Sequence, residues 1–499
     1  MKHLAWTSVA WLVLGQVALA NVGEALFTLL PNSPVSNQDF GDAVAIHGNY
    51  VLVGAEDTAV GGVPSAGMAF LFEAATGALL HEITPSGPPI SRAFGSSVAI
   101  NGNLLVVGAE DEGNNRGAAY VFDTNGNELF KLLTADGASN HEFSQALAIS
   151  GNTVLVGAPT AVGASGVGKA YFFDLSMATP GSTLMGNGFQ PTDLPSFAEF
   201  GTVLDLDGDM AIIGLDRLGL GGAAYVYDTE GNLIRKFTPP INPNTGNPVR
   251  GFGRSVAISG NVALIGATPD DAQVNEATEF GRAYLYDIPS GDLLFELVPN
   301  DSMPGDLFGD VVSLSGNLAL VNARREDVLG IINEAYVFDV STGRQLLKLD
   351  NSDFVAGDEV FEAVAIHGGR VVAGVEGYDS PGFNNNGIAV VFDVLFADYN
   401  RDGIVDAADY TVWRNSLGDN VVRFEGADGN GDMIVDHDDY LLWKAMYGTA
   451  APVPVTALGV GGLAGQSLPV PEPASALLLM AALAFTTPGS RIARRDATI

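Results

Sequence analysis

The chain has no cysteine among its 499 residues, which excludes a disulfide framework, cysteine-ligated zinc and a thiol nucleophile. Stability has to come from packing, with or without bound metal. Basic residues are scarce too: 23 Lys and Arg stand against 58 Asp and Glu, a formal charge of −35. Such a surface repels phosphate backbones and anionic headgroups, so no nucleic acid is expected as a partner. Catalytic signatures are also missing. There is no Gly-x-Ser-x-Gly elbow, His-Glu-x-x-His pair, Walker loop or Gly-x-Gly-x-x-Gly in a βαβ setting, and the chain is not expected to be an enzyme. What it does have is 62 Gly and 25 Pro, the composition of many short strands joined by tight turns.

The apolar pattern repeats. A Phe followed by a small or polar residue recurs as Phe40-Gly41, Phe94-Gly95, Phe143-Ser144, Phe200-Gly201, Phe252-Gly253, Phe308-Gly309 and Phe361-Glu362, at steps of 54, 49, 57, 52, 56 and 53 residues. Each opens an alternating strand such as Ser97-Val98-Ala99-Ile100, a turn such as Asn101-Gly102-Asn103 and a second apolar strand such as Leu104 to Val107, the pattern of a hairpin. The second strand ends in Gly-Ala, as at Gly54-Ala55 and Gly266-Ala267, or in weaker forms at Gly214-Leu215, Asn322-Ala323 and Gly374-Val375. After a variable loop comes a third strand such as Ala119-Tyr120-Val121-Phe122, then a fourth such as Glu128 to Leu133. Four strands per unit is the content of a propeller blade, so residues 21–396 are predicted to form a seven-bladed β-propeller.

The seventh unit stops after Ile388 to Val394 without a fourth strand, while Ala25 to Pro31 resembles the fourth strands Leu80 to Pro85 and Leu293 to Pro299. The N-terminal strand is therefore expected to complete the last blade, which removes the open edge of a linear array. The Phe-Gly and Gly-Ala-Pro pattern resembles the FG-GAP repeat family, familiar from integrin α-subunit propellers. In calcium-binding members of that family an Asp-rich loop joins the first two strands. Here short turns hold that place, and Asp205 to Asp209 aligns with the turn Ser259-Gly260-Asn261, so Asp207-Gly208-Asp209 is expected to be a hairpin turn. His47 and His367 share one turn position in different blades, which points to a structural role. Acidic pairs such as Glu110-Asp111 and Asp270-Asp271 fall in the variable loops, either lining a carbohydrate or ion site or carrying solvated charge.

Beyond residue 396 the period becomes helical and two acidic loops follow. The first places Asp398, Asn400, Asp402, Ile404, Asp406 and Asp409 at loop positions 1, 3, 5, 7, 9 and 12; the second places Asp428, Asn430, Asp432, Ile434, Asp436 and Asp439 there. With the carbonyl of position 7, each set supplies the oxygens that Ca²⁺ takes, about six to eight in number. Amphipathic stretches follow, Tyr410 to Leu417 and Tyr440 to Tyr447. A loop with one following helix, in tandem, and Asp at position 12, resembles the type I dockerin module over residues 397–449. The resemblance implies bound Ca²⁺ and a cohesin-like partner. Two features depart from it: positions 10 and 11 are Ala407-Ala408 and His437-Asp438 rather than a Ser-Thr type code, and position 6 is Gly403 in one loop but Met433 in the other, a strain on the order of 1 kcal/mol. Two solvated acidic loops without metal are the alternative.

The chain ends carry addresses. Lys2 and His3, the apolar run Leu4 to Val17 and Ala18-Leu19-Ala20 read as an export signal over residues 1–20, expected to be cleaved after Ala20. An N-terminal membrane anchor is the alternative, although the run is short for a span. Residues 450–469 read as a linker. Val470-Pro471-Glu472-Pro473, the apolar run Ala476 to Phe485 and Arg491, Arg494 and Arg495 resemble the PEP-CTERM sorting signal over 470–499, which implies processing by an exosortase in a Gram-negative-type bacterium, with transient membrane contact through 474–487. A permanent tail anchor is the alternative, although the run is short for a stable span. The sequence thus predicts an all-β protein, a seven-bladed propeller closed by its N-terminal strand, followed by a small α-helical tandem calcium-loop module. It is expected to be monomeric, exported to the cell surface or matrix, and to bind extracellular polysaccharide or a cohesin-like protein without catalysis. A secreted polysaccharide hydrolase or lyase with a dockerin-like appendage is the other reading.

Overall fold

The structure is a computed structural model that describes residues 25–450, except 91, 136–140, 162–165, 195–197, 216–221, 243–245, 269–279, 304, 328–329, 350–359, 380–382, 401–402, 422–425 and 430–432. Residues 1–20 and 470–499, where the sequence predicts an export signal and a sorting signal, and the expected linker beyond residue 450 lie outside the described residues, as do Asp270-Asp271 and the loop residues Asp402, Asn430 and Asp432.

The repeat folds as seven antiparallel sheets set in a ring. In the first blade the strands are Phe40–His47, Tyr50–Ala55, Met68–Glu73 and Leu79–Ile83. The first strands of successive blades pack against one another around the ring, so they are innermost. The middle strands are apolar on both faces because each is sandwiched between neighbouring blades: Val51, Leu52 and Val53 are all fully buried. The repeated Phe adds an edge-on aromatic contact, as between Phe40 and Phe70 at 5.2 Å, a geometry that pairs ring edges with ring faces.

Closure is as expected. The last sheet runs Ala25–Leu29, Ile388–Asp393, Arg370–Val375, Val360–His367 from outside to inside, with Phe27 opposite Val391 and Leu29 opposite Ala389. Asp207-Gly208-Asp209 is the predicted hairpin turn, Asp207 pairing with Met210.

Two details correct the sequence reading. The third blade has three strands of its own, Leu147–Ser150, Thr153–Ala158 and Lys169–Asp174. The next segment, Ser182–Gly186, runs parallel along the outer strand Glu128–Thr134 of the second blade as a fifth strand. Among the described residues only Phe189 bridges back to Ala170, its ring stacked on Phe172 at 5.0 Å. The connection after Asp174 contains Pro180, which cannot donate to a ladder, and the chain overshoots the hairpin position. In the seventh blade the frame lies one residue earlier than Phe361-Glu362 suggests: Val360 faces Val375 as Phe40 faces Ala55. Phe361 occupies the glycine position, with φ +64°, while its ring still packs on Phe392 at 5.6 Å.

After the last blade come two helices, Ala407–Ser416 and His437–Met446, each starting three residues before the stretch predicted from periodicity and opened by a capping box. Their core is continuous with the sixth and seventh blades through Leu346, Leu395, Phe396, Tyr399, Leu442 and Met446. Among the described residues no helix is long and apolar enough to cross a membrane.

Candidate binding face and candidate metal centre

The ring of inner strands has two ends. At the loop end, blades meet backbone to backbone. Gly95 adopts φ +104°, and a Cβ on Gly54 of the preceding blade would lie 2.0 Å from the Gly95 carbonyl oxygen. The Phe-Gly of one blade and the Gly-Ala of the previous one are therefore two halves of a single contact with no room for a side chain on the Gly-Ala half. Ser144, in the glycine position of the third blade, turns its hydroxyl to accept from the Ala109 N–H at 3.1 Å. At the junction of the sixth and seventh blades Asn322 replaces that glycine. Its Nδ2 donates to the Phe361 carbonyl at 3.0 Å and its Oδ1 accepts from the Val311 N–H at 2.7 Å, so the amide fills the space that the irregular seventh frame leaves.

Carboxylates gather at this same end. Asp39, Glu142 and Glu199 each precede a repeat Phe and hold left-handed φ values of +52°, +47° and +54°. Asp42, Glu56, Asp57, Glu110 and Asp111 complete the group. Burial, then a side-chain hydrogen bond to Asp57 and the charge of that neighbour, lifts Asp39 to about 6. Burial, reinforced by Asp39, Glu362, Glu110 and Asp57, lifts Asp42 to about 6. Glu56 is pushed up to about 8 by burial and then by Asp42, Glu110, Asp57 and Asp39. Glu110 and Glu142 are also raised, each by burial first and then by carboxylate neighbours. Sequence reasoning singled out only Glu110-Asp111. The others are visible as a pattern only when the blades are aligned, an acid before the Phe, after the Phe-Gly or after the Gly-Ala.

At the turn end, blades are linked by side chains. Each first strand ends in a short acceptor that takes the turn Gly N–H of the next blade: His47 Nδ1 from Gly102 (3.1 Å), Asn101 from Gly151 (3.2 Å), Ser150 from Gly208 (3.0 Å), Asp207 from Gly260 (2.7 Å), Ser259 from Gly316 (3.2 Å) and Ser315 from Gly368 (3.2 Å). The circle closes where His367 meets His47, ring centroids 4.2 Å apart. Burial lowers both imidazoles, and the neighbouring His47 helps bring His367 to about 4. The two histidines expected to be structural are thus the closing step of the girdle.

The two acidic loops are built alike. The carboxylate at position 12, Asp409 or Asp439, is fully buried. Each accepts from the N–H groups of positions 3 or 2 and 9: Asn400 (3.0 Å) and Asp406 (2.7 Å) for Asp409, Gly429 (2.8 Å) and Asp436 (2.7 Å) for Asp439. Position 1 accepts from position 6, Asp398 from the Gly403 N–H at 2.7 Å and Asp428 from the Met433 N–H at 3.1 Å. Position 6 is left-handed in both, φ +88° at Gly403 and +71° at Met433, so the strain expected of Met433 is present. The halves are tied crosswise: Trp413 Nε1 donates to the Asp436 carbonyl at 2.6 Å and Trp443 Nε1 to the Asp406 carbonyl at 2.8 Å, and Tyr399 Oη donates to the Asp439 carbonyl at 2.7 Å.

This arrangement fits a hard cation: a loop curled by a left-handed position 6, with a fully buried carboxylate at position 12, a second carboxylate at position 1 and polar or carbonyl oxygens between. Asp398, Asn400, Ile404, Asp406 and Asp409 of the first loop, and Asp428, Ile434, Asp436 and Asp439 of the second, lie among the described residues. Among these no three acidic or imidazole side chains already stand together as a metal cluster.

The FG-GAP repeat model matches the chain in four places, residues 80–122, 127–173, 241–286 and 295–338. Three of the matches run from the outer strand of one blade to the third strand of the next, and 241–286 begins just after the outer strand Leu233–Phe237, so the repeat spans a blade junction. The stretch around the relocated strand 182–186 and the irregular seventh blade fall outside these matches. No curated protein matches the chain.

Proposed function

We propose that the protein is exported to the cell envelope or extracellular matrix and binds there, without catalysis, through the loop end of its propeller, while the tandem loops hold Ca²⁺. The observation that supports this most is the acidic loop-end rim, where burial first, and then neighbouring carboxylates, raise Asp39, Asp42, Glu56, Glu110 and Glu142. Such a rim favours a neutral or amine-bearing polysaccharide over a phosphate-rich partner. Residues 1–20 direct export, and residues 470–499 carry the address that an exosortase processes. Ca²⁺, a purely structural ion here, would be held by Asp398, Asn400, Asp402, Ile404, Asp406 and Asp409 and by Asp428, Asn430, Asp432, Ile434, Asp436 and Asp439. Ala407-Ala408 is exposed and is the face left for a cohesin-like partner.

A glycan array probed with and without Ca²⁺, run beside a reducing-sugar release assay, tests this reading. Retention of a polysaccharide with no sugar released is the expected result. Release at rates typical of glycoside hydrolases would establish an enzyme instead.

A further inference from the structure

The six regular blade junctions and the irregular one differ in what lies beneath them. Only between the sixth and seventh blades does Asn322 stand where the others have the glycine, and that is the junction the two-helix module spans. On the sixth blade, Arg344 Nη1 contacts Asp438 Oδ2 at 2.7 Å, and Leu346 shares a core with Leu442. On the seventh, the turn Gly368-Gly369 lies under the chain leading into the module and under the module's C-terminal end. A Cβ at Gly369 would meet Leu395 Cδ1 at 2.4 Å, and one at Gly368 would meet Thr449 Cγ2 at 3.7 Å. Asp438 adjoins Asp439, the buried carboxylate at position 12 of the second loop, and Leu442 is one helical turn further on. What orders the second loop also orders the residues that grip the propeller.

We infer that the module is a clamp across the sixth and seventh blades, so that a divalent cation in its loops stabilises the propeller as well as the module. This rests on the reading that the loops take Ca²⁺. The ion binds only a folded loop, so its binding free energy adds to the stability of every element that unfolds with that loop. The continuous core makes the sixth and seventh blades such elements.

The sequence supplies separate reporters. Trp6 and Trp11 lie in the export signal, so in the exported form Trp413 and Trp443 are the only tryptophans and both are in the module. Tryptophan fluorescence follows the module, and far-UV circular dichroism follows the strands of the propeller. In thermal scans of the exported chain, Ca²⁺ at about a hundredfold excess over Kd is expected to raise both midpoints together, by roughly 3–6 °C. Asp439→Asn, with its fluorescence confirming a folded module, should lose most of both shifts. If Ca²⁺ raises the fluorescence midpoint and leaves the circular dichroism midpoint unmoved, the clamp is wrong while the calcium reading stands. If neither midpoint moves and calorimetry shows no Ca²⁺ uptake, the calcium reading fails and the clamp with it. Uptake of Ca²⁺ with neither midpoint moved overturns the clamp alone.

Discussion

The two ends of the inner ring solve the same problem, joining one blade to the next, by different chemistry. The loop end sets the glycine of one blade's Gly-Ala against the backbone of the next, glycine against glycine at five junctions and against Ser144 between the second and third blades. That contact tolerates no Cβ on the first partner. The turn end uses a side-chain acceptor and a backbone N–H, which His, Asn, Ser and Asp all satisfy. A steric demand with one solution writes a motif into the sequence, whereas a hydrogen-bond demand with several solutions does not. The two ends also differ in charge: carboxylates crowd at the loops, and a neutral imidazole pair closes the girdle at the turns.

That difference can be broken most sharply at Gly54. Gly54→Val would drive a side chain into the Gly95 carbonyl and is expected to cost about 4 kcal/mol or more, enough to abolish cooperative folding in denaturant titrations. Retention of a wild-type midpoint would show that the ring can open at this contact without loss.

The turn end should be more forgiving. Asp207→Ala removes the acceptor for the Gly260 N–H and is expected to cost roughly 1 kcal/mol, whereas Asp207→Ser, which places here the group that Ser150 uses one blade earlier, should be within a few tenths of wild type. Equal losses for Ala and Ser in urea unfolding would mean that the girdle does not bear on stability.

The smallest effects separate the ends by pH. Glu56 has its pKa raised on folding, so its contribution is full below the ordinary carboxylate range and is lost as pH rises through about 8. Glu56→Gln, a permanent mimic of the neutral acid, should therefore stabilise the protein at pH 8–9 by about 1 kcal/mol after solvent screening, and leave it unchanged near pH 4. His367 has its pKa lowered, so its contribution is full above about 6.5 and is lost as pH falls through about 4. His367→Asn should flatten that acid loss by a similar or smaller amount. Midpoints measured across pH 4–9 check both, and a Glu56→Gln gain at low pH in place of high pH would reverse the assignment.

Much of the architecture was legible because it is written locally and repeatedly. The Phe-Gly spacing gave the number of blades, and the likeness of Ala25 to Pro31 to the other fourth strands gave the closure, both of which depend on apolar alternation within a few residues. The seventh frame was misread by one residue because Phe361 keeps its ring in the core from the glycine position, which no local pattern distinguishes. The relocation of Ser182–Gly186 was hidden for the same kind of reason: its partner Glu128–Thr134 is in the previous blade. At the acidic loops, spacing identified the oxygen-bearing residues and the strained Met433. The crosswise Trp413 and Trp443 bonds were not legible, because an indole can be placed on a helix face but not matched to a distant carbonyl.

By itself, the sequence determined a seven-fold ring of β units, its closure by the N-terminal strand and two loops of cation-binding spacing, since each follows from residue periodicity and from sterics between neighbours in the chain. Tertiary structure alone decided that Asn322 and Phe361 complete each other's exception, that eight separate acids form one rim, that His47 and His367 close the girdle, and that the two-helix module spans the irregular junction. These depend on contacts between residues tens to hundreds of positions apart, whose distances no local pattern encodes.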